Sequence, residues 1–218
     1  MFTPSKPRVT QNLMNTLHEK INQYTEIINK LDTNSPQYNA YHKNLQKFNE
    51  IINQVPNTLE NLNKTLGALD TQIQFATKDV AFQIAEDKKK TIQDILNDIN
   101  NTASKLPSLK NDLDLRKRMA EKKPQNKKLQ ENLENFSRRF DENVVEVNEQ
   151  IKSIKNITKD LNDDKLNHTI DNLRKAISSL EPSDTIAKLS KQILSEMHGA
   201  QNNFIMKNYS QVSQSKKL

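Results

Sequence analysis

Apolar residues recur along this chain at alternating steps of three and four positions. The pattern is clearest between Leu59 and Ala103, where one apolar stripe starts with Leu59, Leu62, Leu66, Leu69, Ile73, Ala76 and Val80. The stripe shifts at Phe82 and Ile84 and then resumes at Ile92. A stripe this narrow is typical of a helix that packs in a coiled coil or a small bundle. We therefore predict one long helix over this stretch.

Similar stripes predict helices over most of the remaining chain. The predicted helices are 10–31, 36–55, 57–104, a short helix capped by Ser108, 126–162, 164–180 and 183–206. Five of the seven prolines fall between stripes, at positions 36, 56, 107, 124 and 182. At Pro56 the stripe continues across the proline, so this position predicts either the turn of a hairpin or a kink in a continuous helix.

The fold class that follows is all-α, an elongated antiparallel bundle of coiled-coil hairpins. We predict an extended arm (1–9), an N-terminal hairpin (10–55), a central antiparallel pair of long helices (56–162), a C-terminal hairpin (163–206) and a polar tail (207–218). The central pair consists of 57–104 and 125–162, and both of its stripes contain a shift. The matching shifts indicate that these helices pack on each other, which favours an intramolecular rod over a homodimer.

Composition excludes many kinds of catalytic site. There are only two glycines, Gly67 and Gly199, so glycine-rich phosphate loops and nucleophile elbows are excluded. The absence of cysteine excludes thiolate metal sites and cysteine nucleophiles. The four histidines show no spacing typical of a zinc site. We expect no enzyme activity, no metal and no cofactor.

Positive charge is concentrated at 105–128, in the predicted break between the two long helices. This segment holds nine Lys and Arg against three Asp and Glu, and its net charge of +6 equals that of the whole chain. Leu109, Leu113 and Met119 are predicted to form the apolar side of a short helix there. The candidate docking patch comprises Lys105, Leu109, Lys110, Leu113, Arg116, Lys117, Arg118, Met119, Lys122, Lys123, Lys127 and Lys128.

Three interpretations of this segment are open. In the first, the segment is a turn that lysine keeps solvated. In the second, it contacts nucleic-acid phosphates, and in the third it docks on an acidic protein or an anionic membrane. Nucleic acid is disfavoured because the segment has no aromatic side chain to stack on bases. No apolar run is long enough for a transmembrane segment, so membrane contact would be peripheral.

The chain resembles the small, cysteine-free, Lys- and Asn-rich helical accessory subunits of bacterial secretion machines, in particular those of the Legionella-type type IV secretion coupling complex. The resemblance lies in overall character, namely the Leu59–Val80 stripe, the Asn- and Lys-rich turns and the lack of glycine-rich sites. It implies a cytoplasmic adaptor that binds other subunits at the inner face of a membrane-bound complex. The sequence thus predicts a non-enzymatic adaptor in a hetero-complex, with nucleic-acid or anionic-membrane binding through 105–128 as the alternative.

Overall fold

The computed structural model describes residues 6–54 and 58–214, and side chains from 10–54 and 58–208. Almost all of these residues are helical, and none of them is in a strand, so the all-α class is confirmed. The helices are α1 (Lys6–Ile28), α2 (Pro36–Asn53), α3 (Leu59–Ala103), α4 (Leu106–Lys122), α5 (Lys127–Thr158), α6 (Asp164–Ser178) and α7 (Ser183–Gln214), with a 3₁₀ turn at Lys159–Leu161.

Helix starts follow the local capping chemistry of the sequence. The Ser35 hydroxyl accepts a hydrogen bond from the backbone N–H of Tyr38 at 3.1 Å, and Pro36 occupies the first turn of α2, as predicted. The predicted cap at Ser108 is wrong. Helix α4 begins at Leu106 and places Pro107 in its first turn, where the missing N–H of proline breaks no helical hydrogen bond.

The ends of the helical region also differ from prediction. Residues 6–9 of the predicted extended arm belong to α1, which stops at Ile28 rather than at residue 31. The predicted tail at 207–218 is helical as far as Gln214. Polar sequence without an apolar stripe can extend an existing helix at both places, and Pro7 is tolerated because it lies in the first turn of α1, where its missing N–H breaks no helical hydrogen bond. Pro56, like residues 1–5 and 215–218, lies outside the described residues.

The chain forms two compact units, here called unit one and unit two. Of the described residues, those up to Glu86 and those from Ile205 onward belong to unit one, and Asp87–Phe204 is unit two. The core of unit one combines α1, α2 and the first half of α3, with Leu17, Ile21, Tyr24, Ile28, Leu45, Phe48, Ile52, Leu62, Leu69, Ile73 and Ala76. Tyr24 is fully buried, and its ring meets those of Tyr41 and Phe48 edge-on.

The core of unit two joins the second half of α3 to α5, α6 and α7. It includes Ile92, Leu96, Ile99, Leu106, Val147, Ile151, Ile154, Leu166, Ile170, Leu173, Ile186, Ile193 and Met197. The Ser190 hydroxyl donates a hydrogen bond to Asn100 Oδ1 at 3.1 Å and so joins α7 to α3. Helix α4 packs along α5, and α6 also packs on α5.

This arrangement changes the central pair that the sequence predicted. The prediction paired 57–104 with 125–162. In the structure only the second half of α3 shares a core with α5, whereas Leu62, Leu69 and Ile73 in its first half pack with α1 and α2. The neighbour of the first half of α5 is α4. An apolar stripe fixes which face of a helix is buried, but several helices of matching period can cover that face.

Candidate docking surface

Helix α4 has two apolar faces. Leu106, Leu113 and Ala120 are buried at seven-residue spacing on the side that packs inward. Leu115 and Met119 are 57% and 47% exposed. At 3.6 residues per turn, Leu115 lies about 160° around the helix from Leu113. The outer face of α4 therefore presents apolar surface to solvent, directly opposite the face that holds the helix in place.

Cations surround this outer face. Arg118 and Lys122 lie within one or two turns of Leu115 on the same side of the helix, and both are exposed. The turn after α4 and the start of α5 add further exposed cations. Together the exposed cations of the segment are Lys105, Lys117, Arg118, Lys122, Lys123, Lys127 and Lys128. We call Leu115, Met119 and these exposed cations except Lys117, which lies about 160° around α4 from Leu115, the outer basic surface.

Two cations of the predicted patch already have partners within the α4–α5 hairpin, Lys110 on its own helix and Arg116 on α5. Lys110 Nζ pairs with Asp114 Oδ1 at 2.6 Å, and this hydrogen bond holds the pKa of Asp114 below its ordinary value. The Arg116 guanidinium carbon lies 4.5 Å from the centre of the Phe136 ring on α5, a cation–π contact. Arg116 therefore helps to hold α4 against α5, whereas Lys110 pairs within α4, and both are poorer candidates for a partner contact than the unengaged cations.

The three apolar residues of the predicted patch differ in their exposure in the structure. Leu113 is buried, Leu109 is half-buried, and Met119 is exposed. Leu113 and Met119 are six residues apart, which separates them by about 120° around the helix. They therefore belong to different faces. Sequence reasoning missed Leu115, although its position one turn before Met119 was a usable signal.

The hairpin turn is closed by polar contacts to backbone. Asn126 caps α5 by accepting a hydrogen bond from the Leu129 N–H, at 3.3 Å. Gln130 Nε2 donates to the carbonyl of Ala120 at 3.3 Å, which satisfies an acceptor in the last turn of α4. The cations on either side of the turn are thus carried on an ordered scaffold.

None of the four histidines belongs to the outer basic surface. His18, His168 and His198 are exposed, and the ring of His42 lies 5.7 Å from that of Tyr38. Within residues 6–54 and 58–214, no three His, Cys, Asp or Glu side chains are grouped as a metal site would require. None of the helices in this same part of the chain has the length and apolarity needed to cross a membrane.

Comparison of the chain with protein-family models, with curated proteins and with solved structures finds no match.

Proposed function

We propose that this protein is a non-enzymatic adaptor subunit of a multi-protein assembly, and that it binds a partner protein through the outer basic surface. One observation carries the proposal, namely the second apolar face of α4. Exposed Leu115 and Met119 lie opposite the buried face of their helix, with exposed Arg118 and Lys122 beside them. Apolar anchors surrounded by polar side chains are the usual composition of a protein-binding surface.

The chemistry of the partner follows from the charge of this surface. A complementary partner presents carboxylates around an apolar strip, so that each cation meets an opposite charge when the apolar centre is buried. The resemblance to accessory subunits of bacterial secretion machines extends the proposal. It places the partner in a secretion coupling complex, with the adaptor in the cytoplasm at the inner face of the membrane.

The first test is a site-specific cross-link in cells. Because the chain contains no cysteine, a single Met119→Cys substitution carries a thiol-linked photo-cross-linker at one known position. Lys47→Cys on exposed α2 is the matched control. We expect one defined partner to cross-link from position 119 and not from position 47. Equal labelling from both positions, or none from 119, would contradict the proposal.

A charge reversal then tests the same contact. The variant Arg118→Glu/Lys122→Glu/Lys123→Glu is expected to lose the partner identified by the cross-link. The control reverses Lys30, Lys43 and Lys47, which are exposed in unit one and produce the same change in net charge. If the two triple variants bind the partner equally well, the outer basic surface is not the docking site.

The alternative function is binding of nucleic acid or an anionic membrane through 105–128. The clustering of seven exposed cations on one hairpin favours it as the second candidate. Phosphate binding releases counterions, so affinity for DNA or for phosphatidylserine vesicles would fall steeply between low and physiological salt. Such a fall, abolished by Lys117→Glu/Arg118→Glu/Lys122→Glu, would support the alternative. No binding at low salt would exclude it.

A further inference from the structure

The first half of α5 has an outer face that points away from α4. Val145 lies nine residues after Phe136, which places it about 180° around the helix from that ring. Because Phe136 is the side chain on which Arg116 of α4 stacks, Val145 lies on the far side of α5 from α4. Val145 is 60% exposed. This face of α5 is therefore open to solvent and includes an apolar residue.

Carboxylates surround Val145 on this face. Glu131, Glu134 and Asp141 each lie within about 40° of Val145 around the helix, and all three are exposed. None of the three forms an ion pair with another residue in the described part of the chain. Their charges are therefore available to a partner.

A groove with a volume of about 710 Å³ lies on the same face, and its lining includes Glu134, Asp141 and Val145. Arg138 and Glu142 also line it, and they pair with each other, with Arg138 Nε 3.9 Å from Glu142 Oε1. We call this set the acidic strip, namely Glu131, Glu134, Arg138, Asp141, Glu142 and Val145. Its four carboxylates and one guanidinium give it a net charge of −3.

The acidic strip has the chemistry that the outer basic surface requires of a partner. One surface has exposed Leu115 and Met119 among cations, and the other has exposed Val145 among carboxylates. Within the described residues, Arg118 and Lys122 form no ion pair, as is also true of the three carboxylates around Val145. Contact between the two surfaces would therefore pair opposite charges that are unpaired in one molecule and would bury apolar side chains from both.

One molecule cannot make this contact with itself. The outer basic surface lies on the side of α4 opposite its buried face, and the acidic strip lies on the side of α5 that points away from α4. Within the α4–α5 hairpin the two surfaces therefore face in different directions. Two molecules placed side by side can bring them together.

We propose that the acidic strip of one copy of this chain binds the outer basic surface of a second copy. Leu115 and Met119 of one copy cover Val145 of the other, and the cations beside them meet the carboxylates of the strip. The inference rests on the proposed function, because it identifies a partner for the outer basic surface. The contact is heterologous, so a pair of copies keeps one unoccupied surface of each kind and can add further copies in a row. The outer basic surface at one end of the row is available to a different protein.

The primary test measures the mass of the purified chain by sedimentation at concentrations up to about 100 μM, a range that detects micromolar association. We expect the mean mass to rise with concentration in about 0.01 M salt. In about 1 M salt we expect the rise to disappear, because the screening length falls from about 30 Å to about 3 Å. A monomer at every concentration in low salt would overturn the inference.

Neutralising the carboxylates tests the acidic strip. The variant Glu131→Gln/Glu134→Gln/Asp141→Asn keeps the size of the three side chains and removes their charge. We expect it to raise the dissociation constant at least about tenfold. The control neutralises three exposed carboxylates on α1 and α2 of unit one and changes the net charge equally, namely Glu19, Glu26 and Glu50. Equal weakening by the two triple variants would show that only net charge matters and would overturn the assigned surface.

A mixture of two variants tests whether the contact is heterologous. The variant Arg118→Gln/Lys122→Gln/Lys123→Gln keeps an intact acidic strip, and the carboxylate variant keeps an intact outer basic surface. Each is expected to be monomeric alone where the wild-type chain associates. Their mixture can form one intact contact, so we expect a one-to-one dimer that does not grow with concentration. Failure of the mixture to associate would overturn the inference.

A cross-link locates the contact independently. The chain contains no cysteine, so Met119→Cys and Val145→Cys can be mixed and joined by a short thiol-specific reagent. We expect cross-linking between positions 119 and 145, and none when Val145→Cys is replaced by Ile84→Cys, which is exposed in unit one. Equal yields would overturn the inference. A purified chain that stays monomeric would also overturn it, and cross-linking from position 119 in cells would then decide the proposed function separately.

Discussion

Glu196 is a carboxylate with a side chain that is only 8% exposed in unit two. It accepts hydrogen bonds from the Thr169 hydroxyl at 2.7 Å and from Gln192 Nε2 at 2.9 Å, and Lys165 Nζ lies 3.4 Å away. Burial raises the pKa of Glu196, but the hydrogen bonds from Gln192 and Thr169 and the contact with Lys165 outweigh burial and leave the pKa below its ordinary value of 4.5. The charged form is therefore the one that stabilises the folded state.

The acid dependence of stability tests this assignment. Because the pKa of Glu196 is lower in the folded state, its contribution is present above about pH 4.5 and is lost as the pH falls through the folded pKa. At pH 7 we expect Glu196→Gln to cost about 1–3 kcal/mol of unfolding free energy. In urea titrations the difference from wild type should shrink below pH 4.5. A difference independent of pH would contradict the assignment.

Tyr41 in unit one predicts a pH dependence of stability with the opposite sign. Tyr41 donates a hydrogen bond to Asp79 Oδ2 at 2.7 Å, and burial together with this carboxylate raises its pKa well above 10.0. Its contribution is therefore present below about pH 10 and is lost at higher pH as the folded state must ionise. We expect Tyr41→Phe to cost about 1 kcal/mol at pH 7 and to weaken the alkaline loss of stability. An alkaline unfolding curve identical to wild type would refute this.

Residue-level features were predictable from sequence where the contact is local. The Ser35 cap could be found because its acceptor and donor lie three residues apart. The Thr169–Glu196 hydrogen bond joins residues 27 positions apart on two helices. No local pattern encodes it, because only the packing of α6 on α7 brings the two side chains together.

At the scale of elements, the two glycines lower the stability of the helices that contain them. Gly67 and Gly199 lie inside α3 and α7, neither has a positive φ, and an added Cβ would meet nothing within 4 Å at either position. Alanine has a higher helix propensity by about 0.8–1.0 kcal/mol. We expect Gly67→Ala and Gly199→Ala each to raise the unfolding free energy by about that amount, measured by chemical denaturation. A loss of stability at either site would show that its glycine is needed.

The two faces of α4 predict unequal costs for two chemically identical substitutions. Leu113 is buried in the hairpin, so Leu113→Ala is expected to cost about 2–5 kcal/mol. Leu115 is exposed, so Leu115→Ala is expected to change stability by less than about 0.5 kcal/mol while weakening partner binding. Thermal and urea unfolding compare them directly. Similar costs for both would mean that the outer face of α4 is not a free surface.

Helices were the most predictable part of the fold. The bounds of α3 match the Leu59–Ala103 stripe, because apolar residues that recur at steps of three and four positions share one face only when the backbone is helical. The faces of α4 were not separated, since its apolar residues supply two stripes within 17 residues. Periodicity alone could not decide which stripe is buried. Partner choice between long helices was likewise undetermined by the stripe, which did not indicate that the first half of α3 shares its core with α1 and α2.

At the scale of the whole molecule, both ends of the described chain contribute to unit one. Ile205 is 4% exposed, and it belongs to the same compact unit as α1 and α2 although they are separated in sequence by the whole of unit two. We expect Ile205→Ala to lower the protection of α1 and α2 amides in hydrogen exchange and to leave α6 unaffected. Equal loss of protection in α6 would show that the two units unfold as one.

This division also governs the order in which a ribosome can complete the molecule. Residues up to Glu86 emerge before unit two, yet the described residues of unit one from Ile205 onward are made after it. The 118 residues of unit two are synthesised in between, which at about 5–20 residues per second takes about 6–24 s. During that interval, unit one of the nascent chain lacks its residues from Ile205 onward. Unit two, which is continuous in sequence, is thus the first of the two that can be completed during translation.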